Sequence, residues 1–284
     1  MIDEKSEITS ILRNALKEDL NDAGDITSEA IFGESDYARA VIRSKESGVL
    51  SGAFLIKPLF ELVDDSVAVE LLSFDGEELE PGKKICTLAG PVKAILAGER
   101  TALNLLQKLS GIATATSEMT KMLSDRTCLL DTRKTTPGLR IIEKKAVVHG
   151  GGHNHRFGLY DMILIKDTHV KRAGGVKEAL GKALRWRGEK SEPRIEIEVQ
   201  TVDEFMEAAS LSPERIMLDN MTPDEIGICV EERNSRDLPV ELEVSGNVTP
   251  DTLPAIADTG VDFISSGAIT HSAPALDIHL VIES

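Results

Sequence analysis

An α/β fold, with a (β/α) barrel of irregular or open form and a smaller N-terminal α+β domain, is predicted by three observations. Short apolar runs alternate with helix-like segments through the C-terminal part of the chain. Polar and charged residues recur at the carboxyl ends of those runs, where parallel barrels carry their reactive groups. Ahead of them lies a stretch of roughly 100 residues with a different rhythm, within the usual size of a domain.

The elements follow in order. Ile8, Ile11, Leu12, Leu16 and Leu20 share one face of a predicted amphipathic helix, which DLNDAGDITS ends with turn chemistry. From Tyr37 to about Leu96 the runs ARAVIRS, AVELLSF and KKICTLAG predict strands, separated by SGVLSG, FDGEELEPG and AGP, with one helical stretch near Phe54 to Leu62. GERTALNLLQKLSGIATATSEMTKML predicts a long helix with Gly111 as a point of interruption. TCLLD, KAVVH, MILIK, IEIEV, RIMLD, VELEV and VDFISS then predict strands. GGVKEALGKALRW, TVDEFMEAAS, TPDEIGICVEE and TPDTLPAIADT supply helices between them, so a parallel sheet is covered by helices. The expected division is 1–104 for the small domain and 105–271 for the barrel, with the tail 272–284 packing back on the small domain.

Composition excludes several function classes. The longest apolar runs fall far short of the roughly 20 residues of a membrane span. The N-terminus, MIDEKSEITS, is acidic and polar, unlike the basic-then-apolar leader of a secreted protein. Cys86, Cys128 and Cys229 lie far apart among apolar neighbours and form no CxxC pair, which reads as buried free thiols in a reducing compartment. A cytoplasmic protein is expected. A formal charge of −16 argues against nucleic-acid or anionic-membrane partners. Yet between Asp131 and Arg172 nine Lys or Arg stand against four Asp or Glu, with four of the six histidines. This cationic island is either a solvated basic face or a focused field for a small anion, and position decides between them.

Position favours the anion. The predicted strands run into Thr132, Arg133 and Lys134, into Lys166 and Asp167, and into Asp219 and Asn220. Others end in Ser245 and Gly246 or in Ser266 and Gly267, and IEIEV carries Glu198. One such residue is an ordinary strand end; six in register converge on one mouth. Arg133, Lys134, Arg156 and Lys166, with His155, supply charge and donors for carboxylates or phosphates. Glu198 and Asp219 suit ribose hydroxyls, or Mg²⁺ carried in with a phosphate ligand. SGN at 245–247 and SSGA at 265–268 are candidate phosphate-binding turns. Gly150, Gly151 and Gly152 precede His153, His155 and Arg156. A zinc site there lacks a Cys or carboxylate at matching spacing, and a flexible surface loop is the other alternative. Asp64 and Asp65 read as a solvated turn at a helix end, because SVAVE follows them and not a Gly/Thr-rich loop.

These motifs together resemble the quinolinate phosphoribosyltransferases (nicotinate-nucleotide pyrophosphorylase, carboxylating). The matching stretches are KEDLNDAGDITS, ESGVLSG, GERTALNLLQKLSGIATAT, DTRKTTPGLR, GGGHNHRFGLYDMILIKDTH, EIEVQT, IMLDNM and GVDFISSGAITHS, in the family's order through nearly the whole chain. The resemblance implies transfer of a phosphoribosyl group from phosphoribosyl pyrophosphate to quinolinate, with loss of pyrophosphate and CO₂, in NAD biosynthesis. It implies a quinolinate pocket of Arg100, Arg133, His155, Arg156 and Lys166, and Lys134 near the sugar pyrophosphate. Glu198 and Asp219 would serve ribose and Mg²⁺, and Ser245, Gly246, Ser266, Gly267 and His271 the 5′-phosphate. A homodimer or hexamer is implied, the small domain of one subunit covering the barrel mouth of another.

The chain departs from the family at three positions. Asn247 stands where a second Gly is common, and Asn tolerates left-handed backbone. Lys45, the cation expected from the neighbouring subunit, replaces a common Arg and loses its bidentate fork. Thr168 stands where Asn is usual. Three alternatives remain at this point. A relative associated with molybdate transport would act on another heteroaromatic acid, and a non-catalytic barrel would bind an anion without releasing pyrophosphate. A barrel aldolase would use Lys166 as a Schiff base.

Overall fold

The computed structural model describes residues 3–124, 126–246 and 248–283. The chain forms two compact units, Met1–Ser117 with Thr135–Gly151 and Ile269–Ser284, and Glu118–Lys134 with Gly152–Ala268.

In the first unit, helix α1 (Glu4–Leu20) buries Ile11, Leu12 and Leu16, the stripe its spacing predicts. α2 (Ile26–Ile31) starts at Asp25, whose carboxylate accepts the amides of Thr27 and Ser28. Strand β1 (Tyr37–Ser44) pairs antiparallel with β5 (Lys84–Pro91), which pairs with β3 (Ala68–Leu71). On its other side β1 takes β12 (Ile278–Glu283), the end of the chain. The short strands β2 (Gly48–Val49) and β4 (Glu78–Leu79) form a separate pair. α3 (Ala53–Val63) packs Leu55, Ile56, Leu59 and Phe60 into the same core as Leu12, Ile42, Ile85 and Leu88, all fully or almost fully buried. α4 (Val92–Thr120) runs unbroken through Gly111.

KAVVH corrects the strand expectation. It lies in α5 (Arg140–His149), where Ile141, Ile142, Glu143, Lys144, Ala146 and Val147 are buried. Its apolar residues satisfy a helical face as well as a strand, and the length of the whole run RIIEKKAVVH decides for the helix. Gly150 then ends α5 where a Cβ would stand 2.3 Å from the Ala113 carbonyl oxygen, so no larger residue fits.

The second unit is a six-stranded parallel sheet, ordered β6 (Cys128–Leu130), β11 (Phe263–Ser265), β10 (Glu241–Ser245), β9 (Arg215–Asp219), β8 (Ile195–Val199) and β7 (Ile163–Ile165). Between the strands run α6 (Asp167–Ala173), α7 (Val176–Arg187), α8 (Val202–Ala209), α9 (Pro223–Ser235) and α10 (Leu253–Ala257). α11 (Ala268–His271) follows the last barrel strand. Thr201 and Thr222 cap α8 and α9 through their hydroxyls, as the TVDE and TPDE motifs suggest. Among the described residues β6 and β7 are the two edges of the sheet: β6 pairs with β11 and carries a parallel bridge from Leu130 to His153, and β7 pairs with β8. This is an open α/β barrel. Among the described residues no helix is long and apolar enough to cross a membrane.

The three cysteines are free; Cys86 and Cys229 are buried and Cys128 is half-buried. Burial pushes the Cys86 thiol up to about 12. It does the same at Cys229, also to about 12, with the charges of Glu225 and Glu232 adding to it. At about pH 8 both thiols are therefore expected to resist alkylation until the protein unfolds, with Cys128 modified first. Mass-spectrometric counting of modified cysteines against denaturant checks this.

Candidate active site

In a parallel strand alternate side chains face the barrel lumen, so period two writes the site. Register places Glu196 beside Arg215, Glu198 and Glu243 beside Met217, and Ser245 beside Asp219. Glu196 and Glu243 are fully buried, whereas Glu198 and Asp219 are half-buried.

The mouth is a cavity of about 780 Å³, ample for a small-molecule substrate. Its wall carries Thr132, Arg133 and Lys134 after β6, His155 and Arg156 after the glycines, and Lys166 and Asp167 after β7. Glu198 and Gln200 line it from the end of β8, Asp219 and Asn220 from β9, and Ser245 and Gly246 from β10. Lys134 is seated by its own amide, which donates to Thr132 Oγ1 at 3.0 Å. Arg156 Nη1 donates to the Met162 carbonyl at 3.2 Å. Burial lowers the Arg156 pKa and the neighbouring Arg133 charge lowers it further, so two guanidinium groups repel each other on one wall. Lys166 Nζ donates to Glu198 Oε1 at 2.8 Å, and the Asp167 amide to Glu198 Oε2 at 3.4 Å.

Asn220, at φ 57°, ties two strand ends together. Its amide donates to the Ser245 carbonyl at 3.0 Å and its Nδ2 to Asp219 Oδ2 at 2.9 Å. Gly246, at φ 90°, is required there: a Cβ would lie 2.2 Å from Asn220 Oδ1. The adjoining Asn247 lies outside the described residues.

Beneath the mouth is a buried cluster. His155 Nε2 lies 3.1 Å from Glu196 Oε2 and 3.5 Å from Glu243 Oε2, and Arg215 Nη1 donates to Glu243 Oε2 at 2.9 Å. His155 Nδ1 accepts the Arg156 amide at 2.7 Å, and the His155 amide donates to Asp131 Oδ1 at 2.8 Å. Burial opposes charge on the imidazole, but the two carboxylates outweigh it and raise the His155 pKa to about 9. Burial, and after it the Glu243 charge, raises Glu196 to about 7. Both shifts have one meaning: two carboxylates and one guanidinium are a proton short of neutrality. Since Nδ1 is engaged as an acceptor, the imidazole's own proton sits on Nε2 and the further proton belongs to the carboxylate pair.

Most of the sequence-predicted residues meet here: Arg133, Lys134, His155, Arg156, Lys166, Glu198, Asp219, Ser245 and Gly246 all line the cavity. Ser266, buried, donates its amide to the Leu130 carbonyl at 3.0 Å, and Gly267 follows it; neither is on the cavity wall. Arg100, Lys45 and His271 belong to the first unit. Arg100 is an exposed residue of α4, Lys45 pairs with Asp277 at 3.3 Å, and His271 contacts Ser272 Oγ at 2.6 Å. Thr168 is exposed on α6. The sequence reading missed Gln200, Met217, Glu196, Glu243 and Arg215. The signal for the last three was present in EIE, ELE and RIM, where charged residues sit two apart from site residues along strands.

An open parallel barrel whose carboxyl-end mouth is lined by guanidinium and ammonium groups together with two carboxylates is an α/β-barrel enzyme for anionic substrates. Residues 25–110 match the model of the quinolinate phosphoribosyl transferase N-terminal domain and residues 112–281 that of the C-terminal domain. The chain is 43% identical over 275 residues to a probable nicotinate-nucleotide pyrophosphorylase (carboxylating) of Bacillus subtilis, covering 96% of this chain and 93% of that protein. It is 40% identical to the chloroplastic nicotinate-nucleotide pyrophosphorylase (carboxylating) of Arabidopsis thaliana, covering 98% and 83%. The solved nicotinate-nucleotide pyrophosphorylase of Francisella tularensis superposes with a TM-score of 0.90 at 37% identity, covering 100% and 98%. The chain belongs to the quinolinate phosphoribosyltransferase family.

Proposed function

We propose that the protein transfers the phosphoribosyl group of phosphoribosyl pyrophosphate to quinolinate, releasing pyrophosphate and CO₂ and forming nicotinate mononucleotide. The observation that carries this reading is that Arg133, Lys134, Arg156 and Lys166 line one mouth together with Glu198 and Asp219. Quinolinate is a dianion, and paired guanidinium groups bind carboxylates bidentately while rejecting neutral pyridines. The ring nitrogen attacks C1 of the sugar as pyrophosphate leaves with the bonding pair. The alkylated, cationic ring then takes the electron pair from the C2 carboxylate as CO₂ departs, and C2 gains a proton.

Lys134 faces the pyrophosphate, Glu198 and Asp219 the ribose hydroxyls, and Ser245 and Gly246 the 5′-phosphate. Asp219, together with Glu198 once its 2.8 Å bond from Lys166 is released, would be the carboxylates to hold an Mg²⁺ carried in with the pyrophosphate; among the described residues they are not part of a closed ligand cage. When bound, the ion neutralises charge on the leaving pyrophosphate. Free cysteines support action in the cytoplasm. A dimer in which Lys45 of a second copy adds a cation follows from the family resemblance, and sedimentation measures it.

The test incubates the protein with phosphoribosyl pyrophosphate, Mg²⁺ and carboxyl-labelled quinolinate, following CO₂ and nicotinate mononucleotide together, with nicotinate in a parallel sample. Both products are expected from quinolinate and neither from nicotinate. A folded protein inactive on quinolinate would sink the reading.

A further inference from the structure

The buried cluster below the mouth has no role in the chemistry just set out, although its four side chains span three strands and the loop after the glycines. Two of them, Glu196 and Glu243, are fully buried carboxylates, which fold stability alone does not favour. Arg215 is held from below: its Nε and Nη2 donate to Glu241 Oε2, both at 3.1 Å, and its guanidinium stacks 3.9 Å from the centre of the Phe263 ring. From that base Nη1 reaches Glu243, Glu243 and Glu196 reach His155 Nε2, and His155 Nδ1 takes the Arg156 amide. The chain of contacts thus ends on the backbone of a residue whose guanidinium is on the cavity wall.

We propose that Arg215, Glu243 and Glu196 form a buried charged strut that fixes the His155 ring, and that His155 acts as a positioning residue for Arg156. The proposal rests on the reading that the mouth binds a pyridine dicarboxylate, and it assigns the imidazole a positioning task beside its place on the cavity wall. Both ring nitrogens face protein groups, and the side chain is only 6% exposed. Arg156 sits beside Arg133, whose charge repels it, while its Nη1 donates to the Met162 carbonyl at 3.2 Å, and a fixed backbone at Arg156 keeps that bond in place against the repulsion. The strut resists this, and the Asp131 carboxylate holding the His155 amide sets the same turn from the other side.

His155, Glu196 and Glu243 also stand close enough to suggest a metal site. The guanidinium 2.9 Å from Glu243 argues against it, because a divalent ion would add charge where a cation already balances a carboxylate.

The experiment uses the full chain labelled with nitrogen-15 arginine and compares wild type, Glu243→Gln, His155→Phe and Leu242→Ala. Leu242 is fully buried on the opposite face of β10, so its variant loosens the same strand without touching the strut. In Glu243→Gln and His155→Phe the Arg156 amide is expected to exchange with solvent at least about tenfold faster than in wild type. Their KM for quinolinate rises about tenfold while that for phosphoribosyl pyrophosphate stays within about twofold. Leu242→Ala lowers the Tm but leaves both readouts near wild type. Should Glu243→Gln not fold, His155→Phe against Leu242→Ala decides alone. Unchanged Arg156 exchange in a folded strut variant overturns the proposal, as does a stoichiometric divalent metal in wild type that Glu243→Gln loses. Exchange is read on ligand-free protein, so a wild type inactive on quinolinate with the expected exchange pattern sinks the functional reading and spares the strut.

Discussion

Arg156→Ala is expected to lower kcat/KM for quinolinate about 30- to 150-fold, the effect of removing one partner of a charge pair at about 2–3 kcal/mol. The lower part of the known range applies because Arg156 is half-buried before the ligand arrives. The loss falls mostly on KM for quinolinate, since the contact forms in the ground state and persists through transfer. Arg156→Lys recovers part of the affinity but not the two-point fit, because an ammonium cannot present a planar fork. Stability moves the other way. Arg133 and Arg156 repel in the free protein, so the Tm of ligand-free Arg156→Ala stays level or rises, while the upward shift caused by quinolinate shrinks. Steady-state kinetics and thermal scans with and without quinolinate check both halves. A variant with unchanged KM would remove Arg156 from the substrate wall.

The fold was legible where apolar runs are short and end in polar residues. IEIEV, RIMLD and VELEV are strands where the pattern places them, and Glu198, Asp219 and Ser245 stand at their ends. KAVVH failed because a short apolar run bounded by charges suits either period, and only the longer stretch from Arg140 to His149 shows the helix. Gly111 looked like a break, yet α4 passes through it, since one glycine costs a long helix little against the packing of its apolar face.

The buried layer of the site was unreadable for another reason. Glu196 and Glu243 are far apart in sequence, and their convergence on His155 depends on strand order and register, which no local pattern encodes. The pairing of Glu196 with Arg215 and of Glu243 with Met217 across β9 supplies both. A glutamate two residues before a site glutamate shares its face, so EIE carried a signal for a lumen residue at Glu196 that the sequence reading passed over; what it could not give was the partner. The same limit holds for Asn220. It reads as a strand-end polar residue, but its function as a tie between Asp219 and Ser245 needs the left-handed backbone the structure gives it.

That tie makes Gly246→Ala the second large expectation. The substitution meets two obstacles at once. Alanine at φ 90° is strained whatever the space, and its Cβ would lie 2.2 Å from Asn220 Oδ1 and 3.0 Å from the Asn220 amide nitrogen. The amide is backbone bonded to Ser245, so it yields less readily than the side chain. Asn220 must then swing away, releasing the Asp219 carboxylate that its Nδ2 now holds at 2.9 Å. A stability loss of about 1–3 kcal/mol is expected from strain and displacement together. The catalytic loss should be larger in kind, because Asp219 and the turn at Ser245 are both assigned to phosphoribosyl pyrophosphate. KM for that substrate is expected to rise about tenfold or more and kcat to fall with it, while quinolinate affinity, set on the Arg133–Arg156 wall, changes little. Calorimetric titration of quinolinate beside kinetics in phosphoribosyl pyrophosphate separates the two sides of the mouth. Equal losses on both would mean that Gly246→Ala unsettles the whole barrel end; loss confined to phosphoribosyl pyrophosphate places the sugar phosphate on the β9–β10 side.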